Sequence, residues 1–184
     1  MRISFFLFFF FISCSENYIP KPRAFFKLDF PEKEYVKLNL DCPFVLEIPI
    51  YANISFKEKS KYFFNINFPN QNANIHVTYL SLDDNLYEHS EQSRNLAYKH
   101  NIVADGISEQ LYINDSLKVY GILYDYKGTT ATAMQFFLTD SMQHFFRGAL
   151  YFDTEINDSI IPLNTFLKED VRHLIESFEW KEIL

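Results

Sequence analysis

Asp140-Ser141 followed by His144 supplies the three side-chain types of a hydrolytic relay. Such a relay needs the imidazole held between hydroxyl and carboxylate, and in the α/β-hydrolases the serine stands on a Gly-x-Ser-x-Gly elbow. Here the three residues share one tight turn and no elbow is present, so a solvated turn is the simpler reading. His89 and His100 lie about three helical turns apart and could point the same way from one helix. A metal would still need a third ligand, and the chain has neither an HExxH-like motif nor a Cys/His cluster. With glycine only at 106, 121, 128 and 148, a glycine-rich phosphate loop is absent as well. These patterns predict neither a catalytic set nor a metal or other cofactor.

A different chemistry is offered by polar residues set among apolar ones. His76 falls on the polar side of an alternating segment, and Arg147 stands between Phe146 and Gly148. Together with His100 and Asp125 they form the candidate contact set for a small ligand or glycan in a cleft between sheet and helix. The plainer alternative for each is a cross-strand pair or a hydrogen bond to a loop carbonyl. Cys42, in Asp-Cys-Pro-Phe, reads as a small buried hydrophobe rather than a reactive thiol.

The most specific chemistry lies at the start of the chain. Arg2 precedes an apolar run from Phe5 to Ile12, followed by Ser13 and Cys14. The run fits the apolar region of a signal peptide and falls short of the roughly 20 residues that span a bilayer. A small residue before a cysteine at the expected cleavage point predicts removal of residues 1–13 and acylation of Cys14. Each buried methylene contributes about 0.8 kcal/mol, so two or more acyl chains give a stable anchor.

Loss of Arg2 with the leader takes the formal net charge from -7 to -8. An acidic chain is a poor match for nucleic acid, whose binding rests on a basic face. Charge alone would not hold it on anionic lipid either. With Cys14 acylated, Cys42 has no partner for a disulfide within the chain.

Elements that could position these residues follow from periodicity. Pro20, Pro22 and Pro31, interspersed with Lys21, Arg23 and Lys27, predict an extended tether over 14–35. A single globular domain over 36–184 comes next. Alternating Phe, Ile and Val predict consecutive strands at 44–50, 62–68 and 73–79. Asp83-Asp84-Asn85 offers a helix start, with a thin apolar stripe of Leu86, Ser93, Leu96 and Ala97 before His100. Strands at 108–113, 118–126, 131–139 and 144–152, separated by short turns, predict an antiparallel meander. Pro162 and Asn164 open a last helix whose Leu167, Val171, Leu174, Ile175 and Phe178 recur at helical spacing, with Trp180 closing the packing. This order predicts an α+β fold, a largely antiparallel twisted sheet of about six or seven strands with two helices packed on it. In pattern it is similar to the Mog1/PsbP-like sandwich.

Several blocks stand in one order along the chain: Lys21-Pro22-Arg23, Cys42-Pro43-Phe44, Ile75-His76-Val77, and Leu96-Ala97-Tyr98-Lys99-His100. They continue with the run from Gln135 to Ser141, the run from Phe146 to Phe152, and Leu174 to Lys181. On these the chain resembles the GldD family of gliding-motility lipoproteins of Bacteroidetes over nearly its whole mature length. Ser15-Glu16-Asn17-Tyr18 and Ala24-Phe25 depart from the family pattern, both within the tether. The resemblance implies a lipid-anchored, non-enzymatic component of the cell envelope that faces the periplasm. Its protein partners would lie in the gliding machinery and the type IX secretion apparatus tied to it. It carries over no catalytic residue. The tether from Asn17 to Pro31 and the strand bearing Arg147 are the candidate partner surfaces.

Overall fold

The computed structural model describes residues 29–57, 60–99, 104–128, 130–153 and 160–181. Cys14, His100 and the tether up to residue 28 lie outside these. Among the described residues, ten strands and two α-helices follow one another in the order β1 Tyr35–Leu38, β2 Phe44–Pro49, β3 Asn53–Phe56, β4 Phe63–Phe68, β5 Ala73–Ser81 and α1 Leu86–Lys99. After α1 come β6 Gly106–Asn114, β7 Val119–Lys127, β8 Thr132–Thr139, β9 His144–Phe152, α2 Ile160–Glu176 and β10 Glu179–Trp180. The fold is α+β.

Seven strands form one antiparallel sheet in the order β3-β4-β5-β9-β8-β7-β6. The meander from β6 to β9 is as the short turns require, and β9 then closes on β5 from Ala73↔Phe152 to Ser81↔His144. Strands β1, β2 and β10 make a small second sheet. Here the structure departs from the expectation of three consecutive strands before the first helix. Phe44–Pro49 pairs with β1 and β10 instead of with β4, whose outer neighbour is the four-residue β3. Strand β3 is short and mostly exposed, so it leaves little hydrophobic pattern.

Alternation along the strands divides the side chains between two cores. On one face Phe64, Ile66, Ile75, Val77, Phe136, Phe146 and Leu150 meet Phe44 and Leu46 of β2 and Leu167, Val171 and Leu174 of α2. Phe44 is the hinge of this layer, its ring 5.0 Å from Phe146 edge-on and 5.7 Å from Phe178. A fully buried Phe contributes on the order of 1.5–3 kcal/mol, which accounts for the chain's richness in that residue. On the other face Tyr124, Tyr126, Phe137 and Phe145 meet Ala97 of α1. Covered on both faces, β8 has all eight residues buried.

The end of the tether belongs to the globular body. Phe30 stacks on Phe166 of α2 at 4.4 Å, and Tyr35 stacks on His173 at 3.5 Å. Asp170, 1 % exposed, accepts hydrogen bonds from Lys33 Nζ (2.7 Å), Tyr35 OH (2.8 Å) and Tyr51 OH (2.6 Å). No described helix is long and apolar enough to cross a membrane.

Candidate functional site

The α1 face of the sheet carries two of the polar residues singled out from sequence, His76 and Arg147. Register places His76 opposite Asn65 on β4 and Ala149 on β9, while Arg147 lies opposite Thr78 and Phe137. His76 and Arg147 are therefore diagonal neighbours on one face. His76 Nδ1 is 2.8 Å from Asn65 Oδ1, an acceptor that calls for the proton on that ring nitrogen. Burial lowers the imidazole pKa and the nearby charges of Lys57 and Arg147 lower it further, so the ring is neutral at neutral pH. Arg147 is half-buried and its Nη2 donates to Gln135 Oε1 at 2.7 Å. Burial also pulls down the guanidinium pKa, and no carboxylate pairs with it among the described residues.

Beside Arg147 a cleft of about 260 Å³ opens between α1 and the β5–β9 pair, lined by Phe63, Thr78, Leu80, His89 and Ser93. It shares Phe63 and Leu80 with a wider hollow of about 570 Å³ that runs to Tyr62, Gln143 and His144.

Asp125 is not part of this group. Its neighbours Tyr124 and Tyr126 face α1, so strand alternation turns Asp125 to the α2 side. There it accepts Lys168 Nζ at 2.5 Å and Arg172 Nη2 at 2.8 Å. His76, Arg147 and Asp125 thus do not converge on one cleft.

The Asp140, Ser141 and His144 turn is a structural clasp. One carboxylate oxygen of Asp140 accepts the backbone N–H groups of Met142, Gln143 and His144 at 2.8–3.0 Å. Burial raises the Asp140 pKa, but these three donors outweigh it and leave the carboxyl below its ordinary range. The His144 ring turns away, bonded through Nδ1 to Tyr79 OH at 2.8 Å and stacked on Trp180 at 4.9 Å. The described contacts contain no Asp–His–Ser relay. His89 packs against Phe145, and among the described residues no group of three His, Cys, Asp or Glu could hold a metal ion. Cys42 is buried, and burial raises the thiol pKa away from the reactive thiolate.

The strand predicted at 108–113 is β6, and its place at the edge of the sheet is a feature the sequence did not announce. Leu111 is 70 % and Ile113 58 % exposed, on the face that also bears Ile107 and Glu109. Ile107 packs into the α1 core and Tyr98 OH donates to Glu109 Oε1 at 2.5 Å, so the end of α1 covers half of the strand and leaves the rest bare. Natural edges are usually blunted by lysine, proline or brevity. This one runs nine residues with Glu109 as its only charge.

The family model described as gliding motility lipoprotein GldD matches residues 15–180. No curated relative matches the chain. The match spans both sheets, both helices and the described end of the tether, and by it this chain belongs to the GldD family of gliding-motility lipoproteins.

Proposed function

We propose that the protein is a non-enzymatic binding component of the gliding machinery, held to a membrane by acyl chains on Cys14 and facing the periplasm. It supports assembly or stability of the envelope complex that couples gliding to type IX secretion. The observation that carries this reading is the outer edge of β6, which no described strand pairs. An open ladder with two exposed aliphatic side chains on one face is the geometry that accepts an extended segment as an added strand. The occupant fits best as a strand of a partner protein, apolar at alternate positions, with a lysine or arginine opposite Glu109. A second copy of this chain would bring together two bodies of net charge -7 or below.

The test is a Leu111→Asp, Ile113→Asp variant expressed from the native locus. Both side chains are solvent-facing, so the purified domain should keep its thermal midpoint while colony spreading and secretion fall together. Normal spreading with the doubly charged edge would remove β6 from the mechanism. Cys14→Ala tests the anchor separately, by shifting the protein out of the membrane fraction.

A further inference from the structure

We infer that the cleft between α1 and the β5–β9 pair receives the anionic group of a small polar ligand, a carboxylate or a phosphate, at Arg147. The inference is independent of the partner-strand reading, since Arg147 and Leu111 lie on different parts of the sheet. Its starting point is how this protein treats its other inward-facing cations. Lys33 is paired with Asp170, and Lys168 and Arg172 share Asp125. Arg147 alone among these inward-facing groups is half-buried with only a neutral amide oxygen as its described partner. A guanidinium stays charged at any physiological pH, and a desolvated charge without a counter-charge is costly.

A second observation points the same way. Gln135, 1 % exposed, spends its oxygen on Arg147, and its Nε2 is buried without a partner among the described residues. Tyr124, paired with Gln135 across the strands, has a buried hydroxyl that is also unpartnered among the described residues. A buried donor left unsatisfied is destabilising. The amide that holds Arg147 is thus itself short of an acceptor, next to a guanidinium-bearing side chain that lines the cleft. An oxyanion supplies what is missing, a negative charge and several acceptor lone pairs. At about 260 Å³ the cleft admits a body the size of one sugar or amino acid. Thr78, Gln92 and Ser93 offer polar contacts, while Phe63 and Leu80 offer an apolar wall. The ligand is accordingly small, hydroxylated and acidic.

The experiment uses the folded lipid-free protein and follows the Arg147 Nε–Hε signal and the Thr78 and Ser93 amides by heteronuclear NMR. D-glucuronate and a hexose phosphate are titrated separately, with glucose and sodium chloride at matched ionic strength as controls. Saturable shifts at these positions with glucuronate identify a carboxylate site, and with the hexose phosphate a phosphate site; either supports the inference. Absence of saturation with both acids, or equal shifts with glucose or chloride, overturns it. Arg147→Lys keeps the charge but loses the planar fork and should weaken binding about tenfold, while Arg147→Met should abolish it. Should the Met variant fail to fold, the wild-type titration decides alone.

Discussion

Replacing Asp170 by alanine removes one carboxylate and strands three donors. Lys33 Nζ and Tyr35 OH both meet Oδ1, at 2.7 and 2.8 Å, and Tyr51 OH meets Oδ2 at 2.6 Å. The carboxylate is buried and the lysine side chain is 23 % exposed, so solvent cannot readily take over these bonds. Removing one partner of such a buried pair costs about 3–5 kcal/mol. In a domain of this size each kcal/mol moves the thermal midpoint by roughly 2–4 °C, which sets the expected drop at about 6–20 °C. Asp170→Asn retains an oxygen for Lys33 and Tyr35 and presents an amide to Tyr51, whose hydroxyl can turn to accept. Its cost should be nearer 1–2 kcal/mol. Thermal unfolding followed by circular dichroism gives the magnitude, and limited trypsin digestion gives the location. The alanine variant should be cleaved after Lys33 well before the wild type, because the 29–35 segment loses its hold on α2. A midpoint within about 2 °C of wild type, with Lys33 still protected, would refute the reasoning.

Gly148→Ala places a Cβ against the Phe136 ring in the central core, an overpacking expected to cost about 1–3 kcal/mol in urea-induced unfolding. An unchanged urea midpoint would mean that the ring swings aside freely. The buried phenols predict alkaline instability. Burial foremost raises the pKa of Tyr79 and Tyr124 from 10.0 to about 12, and burial raises Tyr35, Tyr51 and Tyr126 further. The folded state holds these protons more tightly, so the stabilisation is complete below pH 10.0 and is lost as pH rises toward 12. Phenolate absorbance should therefore rise late and together with loss of structure; full ionisation near pH 10.0 with the fold intact would contradict this.

Much of the architecture was legible because strong periodicities survive in the chain. The meander, both helices and the stripe Leu167, Val171, Leu174, Ile175 follow directly from alternation and helical spacing. The small sheet was not legible, since β1 and β10 are four and two residues long and owe their existence to β2 lying between them. Asp170 left a signal that went unread, a carboxylate set inside the apolar stripe of α2 between Leu167 and Leu174. The grouping of His76 and Arg147 with Asp125 failed because sequence spacing cannot tell which face of a sheet a residue two strands away will share. Arg147 and His76 meet only because β9 returns to pair with β5, a long-range closure that no local pattern announces.

The clasp at Asp170 also decides how the body bears load. If the chain is moored through Cys14 as proposed, it is pulled from its front end, and β1 enters the small sheet at Tyr35, the open end of its hairpin with β2. Tension at that end would peel the rungs apart one after another. Phe30 on Phe166 and Lys33 and Tyr35 on Asp170 lie upstream of, or at, the first rung, so they take the strain first and pass it to a seventeen-residue helix lying across the main sheet. Under such an anchor, mechanical toughness would reside in the few side chains that tie this segment to α2.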